Sequence, residues 1–94
     1  MKIFRGQQEF EWDSGNSQKN VVKHGVTNEE CEEVFFDPQK KILRDVLHSH
    51  KEKRYLLLGK TKHHRALFVV FTLRKSKIRV ISARDLNKKE RQLL

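Results

Sequence analysis

Four apolar runs joined by short connections fill the second half of the chain and constrain its fold most. We predict strands over Ile42–Val46, Arg54–Leu58, Arg65–Thr72 and Lys77–Ala83. The connections at 59–64 and 73–76 are too short for a crossover, so consecutive strands should pair antiparallel as a meander. The third run is apolar on both faces, which predicts the central strand of the sheet, covered on both sides.

The segment before these strands carries two helix signals. Asp13 or Ser14 can cap a helix that runs to about His24, where Gly25 supplies a left-handed stop. Val21 and Val22 are the strongly apolar residues of that helix, which predicts a surface helix with one narrow buried edge.

Two capping boxes mark further helices. Thr27 and Glu30 form the first box, and Asp37-Pro38 ends the helix that it opens. Asn87 and Glu90 form the second box, which opens a short C-terminal helix. The predicted fold class is α+β: two N-terminal helices packed on a twisted antiparallel sheet. That sheet has about four main strands plus a short N-terminal strand at Phe10–Trp12, where apolar and polar residues alternate.

The size and the net charge of the chain limit its possible functions. A chain of 94 residues fits one domain, and we place it at residues 10–94, after an N-terminal extension at 1–9. Lys and Arg number 21 against 12 Asp and Glu, a net charge of +9. Such an excess predicts attraction to nucleic acid or to an acidic partner, although the same charge could simply keep the protein in solution.

The single cysteine and the hydropathy pattern indicate the compartment. Cys31 lies on an apolar stripe with Val34 and Phe35, so we expect a buried hydrophobe rather than a nucleophile. A chain with one cysteine forms no internal disulfide, which agrees with a reducing compartment. No segment reaches the roughly 18 apolar residues of a membrane span, and no signal peptide is visible, so the cytoplasm is expected.

Several kinds of site can be set aside. The chain has no glycine-rich phosphate loop and no paired cysteines for a metal, and we expect no cofactor. His48 and His50, with Asp45 or Glu52, could in principle hold a metal ion. What remains is a supply of basic side chains, and these can support RNA cleavage by the 2′-hydroxyl without a metal. Cations stabilise the charge that develops on the phosphate, and arginine binds phosphate oxygens through two nitrogens.

The basic residues best held by backbone are those at helix and strand ends. The candidates for catalysis are Lys23, His24, Arg54, Arg79 and Arg84, with Arg65 as an RNA-binding addition. Arg79 interrupts an apolar strand, and by alternation it should share a face with Ile81 and Ala83. Each of these cations could instead be a solvated charge or half of a salt bridge. Convergence on one pocket would favour an enzyme, and dispersal over opposite faces would favour a non-catalytic binding module.

The order of several short motifs resembles one known family. The motifs are Phe10-Glu11-Trp12-Asp13, Lys23-His24-Gly25-Val26, Glu33-Val34-Phe35-Phe36-Asp37-Pro38, Glu52 to Gly59, Leu67 to Thr72, Ile78 to Arg84 and Lys89-Glu90-Arg91. Together they are similar to the BrnT toxins, within the RelE-like group of small toxin ribonucleases. Each motif alone is weak, and the ordered set is specific.

The resemblance implies more than the spacing does. It implies a metal-independent endoribonuclease that stops translation and is neutralised by a BrnA-like antitoxin. It also implies operator DNA binding through the antitoxin alone, and a dimer within the toxin–antitoxin complex is a further expectation. Carried over to this chain, it marks Lys23, His24, Arg54, Arg79 and Arg84 as the active-site set, without assigning base and acid among them.

Overall fold

The computed structural model describes residues 9–17, 23–45 and 52–94 of the chain. Its strands and helices follow one another along the sequence. In chain order they are β1 (Glu9–Phe10), α1 (Asn28–Val34), β2 (Lys41–Asp45), β3 (Arg54–Lys60), β4 (Ala66–Arg74), β5 (Lys77–Asp85) and α2 (Lys88–Arg91).

The strands form one five-stranded sheet in the order β1-β5-β4-β3-β2. Strands β2 to β5 make the antiparallel meander that the short connections predict, with β4 in the centre. Strand β1 pairs with β5 in parallel, Glu9 beside Lys77 and Phe10 beside Ile78. The predicted fold class is therefore wrong, because the sheet is mixed rather than antiparallel. The helices described in full are α1, before the meander, and α2, after it, and Lys23 and His24 are also helical.

The predicted helix from Asp13 begins as a set of turns. The carbonyl oxygen of Asp13 accepts hydrogen bonds from the backbone N–H groups of Asn16 and Ser17. The side-chain amide of Asn16 donates to the carbonyl oxygens of Glu11 and Val80, and this residue is buried. These bonds to the sheet edge hold Asn16 in a turn, since Asn competes with helix by such contacts. Lys23 and His24 at its predicted end are helical, and Gly25 follows with the predicted left-handed φ. The part of the predicted helix at 18–22 lies outside the described residues.

Helix α1 follows the sequence signals closely. Thr27 and Glu30 complete the predicted capping box, and Gly25 before it has the left-handed φ of 65°. Cys31 and Val34 point into the core and are buried, as the stripe predicts. Burial raises the pKa of the Cys31 thiol to about 12, so this cysteine is inert at neutral pH.

The two faces of the sheet differ in cover. The face under α1, called the core face here, buries the main apolar cluster, including Leu57, Val69, Phe71 and Val80. The opposite face, called the open face, carries Leu56, Val70 and Thr72, which alternate with those residues along β3 and β4. Beside the start of α2 the open face holds a smaller cluster of Leu58, Ala66 and Leu86.

A β-bulge in β5 changes which residues share a face. Val70 lies opposite Ser82 and Phe71 opposite Val80, so Ile81 has no partner in β4. The extra residue reverses the alternation beyond it. Arg79 therefore shares the open face with Ser82 and Arg84, while Ala83 packs in the core, and the predicted grouping of Arg79 with Ile81 and Ala83 is wrong.

None of the helices within the described ranges is long and apolar enough to pass through a membrane.

Candidate active site

A row of charged residues crosses the open face at one end of the sheet. Arg54 lies directly opposite Thr72, and Thr72 lies directly opposite Arg79, in three neighbouring strands. Asp45 of β2 lies opposite Arg54 and extends the row. Neighbouring strands are about 4.8 Å apart, so the backbones of Arg54 and Arg79 are separated by about 10 Å.

Two carboxylates hold Arg79 in place. Its Nη1 donates to Glu11 at 3.0 Å and to Asp13 Oδ2 at 2.8 Å, and its Nη2 donates to Asp13 Oδ1 at 3.1 Å. The Arg79 side chain is only 14% exposed. The hydrogen bonds that Arg79 donates to Asp13 lower the pKa of this carboxyl group most. The hydrogen bond from the backbone N–H of Gly15 lowers that pKa further. Parallel strand β1 thus positions a carboxylate–guanidinium cluster at the edge of the open face.

Gly15 allows the chain to pass close to this cluster. A Cβ atom at that position would lie 2.9 Å from Nη2 of Arg79 and 3.1 Å from Asp13 Oδ1. The glycine that weakens a helix at this point is therefore explained by the approach of backbone to the guanidinium.

Arg84 lies further along the open face. Its guanidinium donates two hydrogen bonds of 2.8 Å to the Glu90 carboxylate of α2 and covers the Phe68 ring at 4.3 Å. Phe68 is four residues from Thr72, which places Arg84 about 13 Å along the sheet from the charged row. Arg84 joins α2 to the sheet.

Lys23, His24 and Arg65 lie together at the other end of the sheet. Arg65 donates to the carbonyl oxygens of His24 and Gly25, at 3.2 and 2.9 Å. It also pairs with Glu30 at 3.1 Å and with Asp85 at 2.7 Å. The Lys23 and His24 residues are exposed. Thr72 is six positions along β4 from Ala66, so this cluster is about 20 Å from the charged row.

The predicted active-site residues therefore occupy separate places. Arg54, Arg79 and Arg84 share the open face, with the first two in one row. Lys23 and His24 lie beside Arg65 at the opposite end. The five residues do not line one phosphate-sized pocket, because the row and the Lys23–His24 segment are at opposite ends of β4.

The carboxylates of these ion pairs predict how stability depends on pH. Hydrogen bonds from Arg65, Arg84 and Arg79 lower the pKa values of Asp85, Glu90 and Asp13. A group whose pKa falls on folding stabilises the folded state above its unfolded pKa, and that contribution is lost as pH falls through the folded pKa. We expect the free energy of unfolding to decline as pH drops below about 5.

Urea unfolding between neutral pH and pH 2 measures this dependence. The Asp85→Asn variant should have a shallower decline, because one of the titrating groups is gone. A free energy of unfolding that stays constant down to pH 2 would contradict this assignment of the ion pairs.

A family model described as the ribonuclease toxin, BrnT, of type II toxin–antitoxin systems matches residues 12–90. The match covers most of the chain and includes every strand of the meander. The chain belongs to the BrnT family. A search of curated proteins gave no match. As a member of this family the chain is a ribonuclease toxin whose system includes an antitoxin, as the ordered motifs predict.

Sequence reasoning about this BrnT-family chain missed two residues of the charged cluster. The sequence pattern places Glu11 in a strand and Asp13 at a helix cap, and it marks neither as a site residue. The signal was present in Phe10-Glu11-Trp12-Asp13, because alternation places two carboxylates on the same side of an extended segment. Arg79 is 68 residues from Glu11 and 66 residues from Asp13 in the sequence. The parallel pairing of β1 with β5 brings these three residues together.

Two grooves, of about 220 and 940 Å³, lie beside α2 and α1, and neither is lined by any of the predicted site residues. Among residues 9–17, 23–45 and 52–94, no group of three or more His, Cys, Asp or Glu could hold a metal ion. His48 and His50, the alternative metal ligands, lie outside the described residues.

Proposed function

We propose that this BrnT-family chain is a metal-independent endoribonuclease that cuts RNA on the open face of its sheet and so stops translation. A BrnA-like antitoxin neutralises it, and the complex, which includes a dimer, binds operator DNA through the antitoxin. The protein acts in the cytoplasm. Residues 10–94 form the single toxin domain after an extension at 1–9, and the match over 12–90 supports the domain. Strand β1 begins one residue before that boundary, because Glu9 pairs with Lys77.

The observation that carries the proposal is the row of Arg54, Thr72 and Arg79. Two arginines on one face of the sheet, with backbones about 10 Å apart, can bind the two non-bridging oxygens of one phosphodiester. Fixed cations around a phosphate stabilise the charge of the transition state, which is often the largest contribution to catalysis. Arg79 is held rigidly by carboxylates, so it needs little reorganisation during the reaction.

We assign the general base to Glu11. Both oxygens of Asp13 accept hydrogen bonds from Arg79, whereas Glu11 uses Oε1 for that contact and Oε2 has no partner within the described ranges. Oε2 of Glu11 takes the proton of the RNA 2′-hydroxyl. The 2′ oxygen then attacks the adjacent phosphorus, the bond to the 5′ oxygen breaks, and the leaving 5′ oxygen takes a proton from water. Glu11 then releases its proton to the solvent. The products carry a 2′,3′-cyclic phosphate and a 5′-hydroxyl.

The other predicted residues bind RNA away from the cleaved bond. Lys23 and His24 are about 20 Å from the row, so they contact phosphates further along the strand. Arg65 fixes the backbone of that segment through the His24 and Gly25 carbonyl oxygens. Arg84 holds α2 against Phe68 and presents a cation beside the path of the RNA.

Incubation of the purified chain with a defined RNA in excess chelator tests the proposal. We expect cleavage at an unchanged rate in chelator, and fragments that end in 2′,3′-cyclic phosphate. A cleavage activity that appears only when a divalent metal is added would overturn the metal-independent mechanism.

A second function is favoured by one specific observation. Arg65, Arg79 and Arg84 are each paired with carboxylates of the same chain, as expected of residues that only hold the fold together. The alternative is a non-catalytic module that binds nucleic acid or antitoxin and acts in repression of its own operon. RNA binding without cleavage under the same conditions would select it.

A further inference from the structure

Strand β2 lies at one edge of the sheet. Within the described ranges it pairs with β3 alone, so one row of its backbone N–H and C=O groups faces outward. An exposed edge of this kind is a template for another strand. The strand has five residues, Lys-Ile-Leu-Arg-Asp, and every second one turns its backbone N–H and C=O groups outward.

The sequence of β2 is complementary to itself when read in the opposite direction. Two copies paired antiparallel, with Leu43 opposite Leu43, place Lys41 of each chain opposite Asp45 of the other. Ile42 then lies opposite Arg44, whose aliphatic stem can cover it. We propose that β2 is a docking surface for a second copy of this chain, which joins two sheets edge to edge about a two-fold axis at Leu43.

The exposure of Leu43 points to the same arrangement. This side chain is 52% exposed, although it lies on a strand. Residues directly opposite in antiparallel strands bring their side chains into contact, and opposite charges in such positions stabilise the pair. A second copy therefore covers Leu43 with an identical leucine and flanks it with an ion pair on each side.

The apolar row beside the charged row continues across the proposed interface. Leu43 lies opposite Leu56, and Leu56 opposite Val70, on the open face of one protomer. Pairing of the two β2 edges places these three residues beside the same three residues of the second copy. The six side chains then form one continuous apolar strip across the dimer. An isologous contact of this kind closes at two chains, since each edge is used once.

The size of the contact sets its strength. Five residues on each side bury far less than the roughly 1,600 Å² of a standard stable interface. The dimer should therefore dissociate on dilution. The inference goes beyond the ribonuclease activity and does not depend on it, because it concerns association alone.

Sedimentation of the purified full chain over a range of concentrations tests the interface. We expect a monomer–dimer equilibrium, and we expect Leu43→Lys to raise the dissociation constant by about tenfold or more by placing like charges opposite each other. Lys41→Asp should act in the same direction, since it faces Asp45 of the other copy. Lys62→Asp, the same charge change at an exposed turn residue, is the matched control and should leave the equilibrium unchanged.

Cysteine cross-linking tests the register. Leu43→Cys places two thiols opposite each other across the two-fold axis, within reach of a disulfide. Arg44→Cys on the same strand faces Ile42 instead and should not cross-link. Cys31 does not interfere, because it is buried and its thiol pKa is raised to about 12.

The outcomes separate this inference from the ribonuclease proposal. A chain that is monomeric at every concentration, or a dimer that Leu43→Lys leaves intact, overturns the interface. Equal cross-linking at positions 43 and 44 overturns the register. A Leu43→Cys dimer in a chain that fails to cut RNA leaves the interface standing and removes the proposed activity.

Discussion

Replacement of Arg79 by alanine is expected to lower the rate of RNA cleavage by about 10²–10³-fold, the usual cost of removing one fixed group that stabilises a transition-state charge. Arg79 contacts both Glu11 and Asp13, so the variant also releases the proposed base from its position. Single-turnover cleavage of a defined RNA measures the effect. Arg79→Lys should recover only part of the rate, because an ammonium group lacks the two-nitrogen fork.

Arg44→Ala is the matched control for this prediction. Arg44 is an exposed arginine of the edge strand β2, and it lies opposite Tyr55, on the face of the sheet away from Arg79. Its loss should change cleavage less than threefold, about 0.6 kcal/mol. Circular dichroism and thermal unfolding must show that both variants are folded at the assay temperature. Equal rates for Arg79→Ala and the unmodified chain would contradict the assignment.

The largest effect on stability is expected at Phe71. Phe71 lies in the centre of the core face and is fully buried. Its ring packs edge-on against Phe35 at 4.9 Å and stacks with Tyr55 at 5.4 Å. Phe71→Ala should lower the free energy of unfolding by about 3–5 kcal/mol, since it removes apolar contacts and leaves a cavity. A domain of this size has roughly 5–14 kcal/mol in total, so the variant should be close to unfolding at 37 °C.

Phe36→Ala is the control with the same chemistry. Phe36 is 74% exposed, and its truncation removes little buried surface. We expect a change within about 0.5 kcal/mol, as for most surface substitutions. Urea unfolding of the two variants gives both values. A cost at Phe36 equal to that at Phe71 would show that the core has been placed wrongly.

The sequence predicts the meander well because its signals are local. Strands at 41–45, 54–60, 66–74 and 77–85 differ from the predicted runs by a few residues at their ends. Both capping boxes have the predicted residues in the predicted roles. Apolar runs, caps and short connections act over a few residues, so periodicity is enough to find them.

The prediction of a helix start at Asp13 or Ser14 is wrong because the structure there depends on distant partners. Asp13 and Ser14 have the composition of a helix cap, but the Asn16 amide bonds to Val80, 64 residues away. The parallel pairing of β1 with β5 is equally non-local. A local sequence pattern contains no information about a partner that is distant in sequence. Tertiary contacts with such partners therefore override the local helix propensity at residues 13–16.

The candidate site was predicted in part for the same reason. The sequence marks Arg54 and Arg79 as residues at or within strands, but the bulge at Ile81 decides which face Arg79 takes. It also marks Lys23 and His24, which the fold places beside Arg65 rather than beside the row. The residue type gives the chemistry of each side chain. Which side chains lie together depends on the register of the strand pairing.

Cleavage of one RNA by Arg54→Ala, Arg79→Ala and the double variant tests the central claim most directly, which is that these two arginines act on one phosphodiester. Residues that act as a unit give non-additive losses, so the double variant should be only slightly slower than Arg79→Ala. The pair of Arg79→Ala with Lys23→Ala, about 20 Å apart, should give additive losses. Full cleavage by the Arg54→Ala and Arg79→Ala double variant would contradict the account.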